Sequence, residues 1–320
     1  MSQTKANGEP LERIWNEIRE HKLESHIAEL DSQGYTVVPP GIVSSDDLSE
    51  RMLDACLDVA ERRNGKRPDL DGGTTHANFK GLFAEMIDGS EDSPIGDLMQ
   101  SLVFEDQVFE KALMNPVLLT FASYLCGYSA ILSSMGCFMK GPNKSSFTLH
   151  TDTPMPSPLP PHSMVCNLTY VLTDFNKENG STAFVPGSHK WCRGPELYES
   201  DPDKNPKAVA VEAKAGSLIV WHGNTWHGAF NRTSEGLRVS VAVYMSRPYV
   251  RTQEGLVGEV PQEMLDRNHP RFGWILQQGI SYGYKSQEDA IARGARAYPH
   301  MEAMTELTGE KAFGSNTLYG

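Results

Sequence analysis

The chain is predicted to be a mainly β protein with flanking helices, built on a jelly-roll or barrel core. Three observations carry this. Between about residues 129 and 246 the sequence breaks into eight short strand candidates separated by Gly, Pro, Asn and Ser. Before them apolar residues recur at helical spacing, and after them one further helix is expected near residues 287–297.

Residues 10–33 place Leu11, Ile14, Trp15, Ile18, Leu23, Ile27 and Leu30 at broadly helical intervals, and Gly34 follows as a stop, which predicts an amphipathic helix. A short strand over 35–38 ends at Pro39-Pro40, and Ser44, Ser45, Asp46 and Asp47 then start a second helix that runs to about Arg63. Residues 64–78 are rich in Gly, Asp and Arg and read as a long loop, a candidate lid. Helical segments are expected over about 94–127, with Pro116 at a start and Gly127 at an end. The strand candidates are 130–139, 147–151, 164–172, 183–185, 208–212, 217–221, 228–230 and 237–245. The reading is one domain: a helical scaffold over 1–128, a catalytic core over 129–246 and a mixed, partly helical extension over 247–320.

Composition narrows the function classes. The 320 residues are 39% apolar and 22% charged, and no apolar run approaches the roughly 20 residues of a membrane helix, so the expected protein is soluble. The N-terminus lacks the pattern of a secretory signal, which points to the cytoplasm. Five scattered cysteines without CxxC spacing argue against a disulfide framework or a zinc ribbon. A net charge of -12 speaks against nucleic acid or an anionic membrane as partner, since both need a basic footprint. Arg193, Lys204 and Lys207 lie among Glu196, Glu199, Asp201 and Asp203, as in a solvated loop. A small-molecule substrate is the expected partner, and a homo-oligomer is compatible with all of this.

Within the strand-rich half stands Leu149-His150-Thr151-Asp152. On a strand, residues two apart share a face, so His150 and Asp152 can aim an imidazole and a carboxylate at one point. Such a pair arises often by chance. A third donor is available in Trp226-His227-Gly228, after the turn Gly223-Asn224. Two histidines and one carboxylate on one face leave three octahedral positions open, the facial triad of non-haem Fe(II) oxygenases, with room for a bidentate 2-oxo acid and O2. Arg238 follows His227 by eleven residues in the apolar stretch Leu237-Arg238-Val239-Ser240-Val241. A guanidinium there needs an anionic partner and matches the far carboxylate of 2-oxoglutarate.

With these residues in place, the chain resembles the phytanoyl-CoA dioxygenase family of Fe(II)/2-oxoglutarate oxygenases. The likeness rests on Leu149-His150-Thr151-Asp152, Glu178-Asn179-Gly180-Ser181-Thr182, Val185-Pro186-Gly187-Ser188-His189, Gly216-Ser217-Leu218, Trp226-His227-Gly228 and Arg238, in family order over roughly 130–250. It implies a cupin-like double-stranded β-helix, iron held by His150, Asp152 and His227 at its mouth, and oxidative decarboxylation of 2-oxoglutarate to succinate and CO2. The expected activity is hydroxylation of a small organic metabolite. Desaturation, cyclisation and rearrangement need the same ligands and stay open beside it. Halogenation is disfavoured, because related halogenases have a small residue where this chain has Asp152. Two features depart from the family. Ala229 stands where members often carry a serine that helps hold the cosubstrate, and Thr182 is the candidate replacement. The segment 154–162 holds five prolines directly after Asp152 and should shape substrate entry.

The remaining histidines fit other roles. His222 closes a strand before the turn, His189 is a structural residue near the mouth, and His76 and His162 sit in loops where substrate could touch them. His21, His26, His269 and His300 have no ligand spacing. Two rivals remain: a cupin-type metal isomerase or hydrolase, which would not need Arg238, and a non-catalytic jelly-roll binding protein, which would not need a complete triad.

Overall fold

The computed structural model describes residues 10–72 and 94–309. The first helical stretch is two helices, α1 (Pro10–Glu20) and α2 (Glu24–Gln33), with Lys22 between them at φ 57°. The reason lies in the apolar phase. Ile14 and Ile18 are four apart, as are Leu23 and Ile27, but Ile18 to Leu23 is a step of five that would rotate Leu23 off the buried face. One left-handed residue resets the phase, and Ile18 and Leu23 are both fully buried. Gly34 then caps α2 in the left-handed region at φ 86°.

Next come strand β1 (Tyr35–Val38), the short helix α3 (Pro40–Val43) and α4 (Leu48–Asn64). The stretch expected to be helical from about 94 opens instead with a short strand, β2 (Asp97–Met99), before α5 (Gln107–Leu113) and α6 (Pro116–Cys126). Of the candidate lid, residues 73–78 lie outside the described residues, as does His76. Its base at Leu70 is fixed, because the Leu237 N–H donates to the Leu70 carbonyl at 2.8 Å.

All eight strand candidates form: β3 (Ile131–Lys140), β4 (Phe147–His150), β5 (Val165–Val171), β6 (Thr182–Phe184), β7 (Val209–Ala210), β8 (Leu218–His222), β9 (His227–Ala229) and β10 (Arg238–Ser246). They build a six-stranded sheet in the order β1-β8-β5-β10-β3-β2 and a four-stranded sheet in the order β4-β9-β6-β7. The strand pairs in both sheets are antiparallel. The chain ends with α7 (Gln262–Asp266), α8 (Pro270–Ile275) and α9 (Gln287–Thr308), the last running through Pro299. Pro299 and Ala295 are both exposed, so water can satisfy the Ala295 carbonyl that the proline leaves without a donor. Among the described residues no helix is long and apolar enough to cross a membrane. Cys56, Cys126, Cys137 and Cys166 are buried free thiols.

Strand alternation separates two faces of the larger sheet. On β10, Val239, Val241, Val243 and Met245 join one large core with Ile18, Leu30, Met52, Phe109, Leu118 and Phe121 from the helices. The alternate residues, Arg238, Ser240, Ala242 and Tyr244, point away from that core and toward the smaller sheet. A second cluster fills part of the space between the sheets, with Val171, Phe175, Phe184, Ile219 and Trp221. Tyr35 stacks on Phe184 there at 4.4 Å. The inner face of the large sheet is therefore polar at its centre, with Asn167, Thr169, Ser240 and Tyr244 on neighbouring strands. Arg238 and Lys140 are buried at one end of this face, whereas Ala242 and Tyr244, toward the other, are partly exposed.

Candidate metal centre

The four-stranded sheet presents both imidazoles. Register pairs Phe147 with Ala229 and His150 with His227, so three steps along β4 match two along β9. This is a bulge, and it matters. Without it Leu149 would face inward and His150 outward; with it Leu149 packs outside among Ala183, Val185, Trp226 and Phe230, and His150 turns in. Phe147 lies on the same side, its ring edge-on to His150 at 5.0 Å. Gly228 permits the close pairing, since a Cβ there would stand 2.3 Å from the Phe147 carbonyl oxygen.

Each histidine is oriented by the carbonyl two residues before it. His150 Nδ1–H donates to the Thr148 carbonyl at 3.0 Å, and His227 Nδ1–H donates to the Thr225 carbonyl at 3.0 Å. A carbonyl only accepts, so both rings carry a proton on Nδ1, and Nε2 is the nitrogen each can offer a metal. The ring centroids are 4.3 Å apart.

Asp152 is placed differently from the expectation. It lies beyond the end of β4, in irregular backbone, so strand alternation does not aim it. The opposite sheet does. Asn167 Nδ2 on β5 and Trp221 Nε1 on β8 donate to Asp152 Oδ2 at 2.9 and 3.0 Å, and the Tyr244 hydroxyl on β10 donates to its main-chain oxygen at 3.0 Å. The Asp152 N–H donates to the Gly223 carbonyl at 2.9 Å. Asp152 Oδ1 is 3.8 Å from His150 Nε2, and Oδ2 is 3.4 Å from His227 Nε2. One donor atom from each of the three residues lies within 4.8 Å of the others. Ligand atoms on adjacent corners of an octahedron with bonds of about 2.1 Å stand about 3 Å apart, so a small contraction would close the set on a metal.

The protonation states suit that role. Burial pushes the Asp152 carboxyl up, but the two imidazoles and the Asn167 and Trp221 N–H groups outweigh it and hold it below its ordinary value. Burial drives His227 down to about 4, against the pull of Asp152, so its imidazole is neutral at physiological pH.

Arg238 is 5% exposed on the inner face. One Nη donates to the Gly180 carbonyl, and the guanidinium lies 4.7 Å over the Phe175 ring. Its Nε has no hydrogen-bond partner, and among the described residues no carboxylate is within ion-pair distance. Burial, and then Arg232 nearby, push it down to about 9. Thr169, buried on the same face, has a hydroxyl without a partner. Thr182 pairs with Ala229 across β6 and β9, so its inward side chain sits beside the position that lacks a serine.

His222 is excluded from the centre by its own bonds. Its Nδ1 accepts the Asn224 N–H at 3.0 Å, and burial lowers it to about 4. The turn it starts is structural: Asn224 accepts from Thr153 Oγ1 at 2.6 Å and donates to the Pro160 carbonyl at 2.8 Å, tying down the proline-rich segment. His189 packs beneath Gly34, and His269 caps α8. Sequence reasoning missed the contacts of Asn167, Trp221 and Tyr244, because their partner Asp152 is distant in sequence and no local spacing marks them.

The family model for phytanoyl-CoA dioxygenase (PhyH) matches residues 30–240, more than half of the chain. The chain belongs to the phytanoyl-CoA dioxygenase family. Among curated members of similar sequence, the dioxygenase af480 of Aspergillus fumigatus is 30% identical over 207 residues, covering 63% of this chain and 65% of af480. The Fe(II)/2-oxoglutarate-dependent dioxygenase nvfF of Aspergillus novofumigatus is 38% identical over 173 residues, covering 52% of this chain and 53% of its own. The chain thus spans between half and two thirds of these relatives. Among solved structures, the non-haem α-ketoglutarate-dependent carbocyclase SnoK from nogalamycin biosynthesis superposes with a TM-score of 0.53 at 20% identity, covering 74% of this chain and 90% of SnoK. HygX from Streptomyces hygroscopicus, solved with nickel and 2-oxoglutarate, gives 0.53 at 15% identity over 72% of this chain and 88% of HygX. At these identities the likeness is one of fold. The family motifs have local duties here: the Gly180 carbonyl receives Arg238, and Ser188 Oγ accepts the Trp226 N–H at 2.8 Å just before His227.

Proposed function

We propose that the protein is a non-haem Fe(II)/2-oxoglutarate-dependent dioxygenase that oxidises, by hydroxylation, a small organic metabolite. His150, Asp152 and His227 hold the metal, Arg238 receives the far carboxylate of the cosubstrate, and Thr182 supplies the hydrogen bond that Ala229 cannot. The two sheets form a double-stranded β-helix over about 129–246, with the helices before and after it in one domain.

The observation that carries this reading is the buried guanidinium of Arg238, with an unpartnered Nε and no carboxylate of its own, on the inner face that also meets the His-Asp-His cluster. A buried charge is retained where something pairs with it, and a dicarboxylate bridging Arg238 and a metal does so. A cupin-type isomerase or a simple binding protein leaves Arg238 without a purpose.

With Fe(II) bound, the chemistry supplied is the O2-dependent decarboxylation of 2-oxoglutarate to succinate and CO2, coupled to oxidation of a substrate C–H bond. The chain's own contribution is placement and exclusion. His150 and His227 offer Nε2 as the donor atom, each ring fixed by its Nδ1–H bond. Asp152 supplies one negative charge. The apolar cluster of Phe184, Ile219 and Trp221 keeps water from one side of the centre. Substrate would enter at the Tyr244 end, between the proline-rich segment 154–162 and the segment 192–206.

Adding Fe(II) and 2-oxoglutarate anaerobically to metal-free protein should produce the weak visible charge-transfer band of the chelate, and His150→Ala or Asp152→Ala should abolish both band and turnover. A wild-type protein that shows no band, or a His150→Ala variant with wild-type turnover, would overturn the assignment. Product mass then separates the outcomes, since hydroxylation adds one oxygen and desaturation removes two hydrogens.

A further inference from the structure

Asn167, Trp221 and Tyr244 stand in one row across three adjacent strands: register pairs Trp221 with Asn167 and Asn167 with Tyr244. All three donate to Asp152, which follows the end of β4. Asn167 is 8% exposed and Trp221 6%, so neither donor has ready access to solvent as an alternative. Both reach the same carboxylate oxygen. An ionised carboxylate oxygen has two lone-pair directions, and two N–H groups at 2.9 and 3.0 Å engage both on Oδ2. Oδ2 also stands 3.4 Å from His227 Nε2, but with both lone-pair directions taken it has none to offer a metal, whereas Oδ1 is left without either donor and faces His150 Nε2 at 3.8 Å.

On the reading that this centre binds a metal, we propose that Asn167, Trp221 and Tyr244 are positioning residues that hold Asp152 to one-oxygen ligation, tying back Oδ2 and presenting Oδ1. The consequence is a count of coordination sites. Two imidazoles and one carboxylate oxygen leave three of six positions open, and a carboxylate bound through both oxygens would leave two. A bidentate 2-oxo acid and O2 together need three. The row therefore preserves the vacancy that the reaction uses, without touching substrate or cosubstrate. Tyr244 acts on the main chain: its bond to the Asp152 carbonyl fixes the backbone where the strand has already ended.

The test uses Co(II) alone, titrated anaerobically into the metal-free full chain and followed by calorimetry and by its visible d–d bands. Trp221→Phe keeps the ring against His227, 5.0 Å away between centroids, and removes the N–H. Asn167→Leu removes the second donor at similar volume, and Tyr244→Phe the third. Loss of hydrogen bonds behind a metal ligand typically weakens binding 10- to 100-fold, so each of the first two variants should raise the Co(II) Kd at least ~10-fold and alter the d–d bands. Tyr244→Phe should give a smaller rise. Ile219→Val, on the same strand as Trp221 but without a bond to Asp152, is the control and should leave the Kd within about twofold. A merely structural role predicts lower urea midpoints for metal-free and metal-loaded protein alike, with Kd and spectrum unchanged. Unchanged Kd and spectrum in both Trp221→Phe and Asn167→Leu, or a loss no greater than in the control, overturns the proposal while the metal reading stands. Wild-type protein that fails to bind Co(II) removes both. The substitutions lie on three strands, so a folding failure in one leaves the others to decide.

Discussion

Replacing Arg238 by methionine should make the metal-free, cosubstrate-free protein more stable and its use of 2-oxoglutarate much worse. The stability side follows from the cost of the buried charge. Lowering this guanidinium from 12.5 to about 9 corresponds to about 5 kcal/mol against the charged form in the fold. Because the folded group is depressed below its unfolded value, that cost is fully present below about pH 9. Methionine fills much of the same volume and relieves the cost, but it strands the Gly180 carbonyl, which loses its donor at about 1–3 kcal/mol. The net expected gain is about 2–4 kcal/mol, read as a higher urea midpoint at unchanged slope. On the binding side, removing one partner of a buried charge pair costs about 2–4 kcal/mol, a roughly 30- to 1,000-fold rise in the 2-oxoglutarate requirement. Cosubstrate titration of the charge-transfer band measures it. A variant that is no more stable than wild type and binds 2-oxoglutarate equally well would refute the claim that Arg238 waits for an anion.

Two further predictions concern neighbouring groups. Thr182→Val should raise the KM for 2-oxoglutarate roughly 10-fold or more, since a hydrogen bond to a charged group contributes about 1.5–3 kcal/mol, and Ala229→Ser in the same background should recover much of it because the two positions are paired. Wild-type KM in Thr182→Val would remove that residue from the site. The pH dependence of the metal-free protein should reflect His222, which burial keeps neutral down to about 4 while the unfolded residue titrates near 6.5. Below about 6.5 the unfolded chain takes the proton and the folded one does not, so stability falls as pH drops and levels off below about 4. His222→Gln should shrink the difference between about pH 7 and about pH 5 by about 2 kcal/mol, measured by urea unfolding.

The strands were legible because each is a short alternating run closed by turn residues, and the two histidines with Arg238 were legible because their strands carry them as local patterns. What escaped depends on contacts between distant segments. The break at Lys22 was written in the five-residue step from Ile18 to Leu23, a phase error that a glance at apolar density passes over. Strand β2 is three residues whose register comes wholly from β3, so it carries little signal of its own. Helix α9 outruns Pro299 because the lost hydrogen bond faces water, a fact about exposure and not about propensity. Asp152 is the instructive case. Strand alternation predicts that it shares a face with His150, yet a bulge turns His150 and the opposite sheet holds Asp152, so what groups these side chains is long-range contact that alternation does not describe.

The segment 192–206 has a second duty that bears on any attempt to retarget the protein. β4 is an outer strand of its sheet, and outer strands invite pairing with other chains. Here the Leu149 N–H is taken by the Ser200 carbonyl at 2.7 Å and Ser146 by the Asp203 carboxylate at 2.6 Å, while Leu197 and Tyr198 stand 92% and 82% exposed just before. The stretch proposed to border the entrance thus also covers the outer edge of β4. Exchanging it wholesale for another specificity loop would bare a strand bearing His150; grafts that alter only 195–198 and keep 199–203 would change the doorway and leave its hinge post standing.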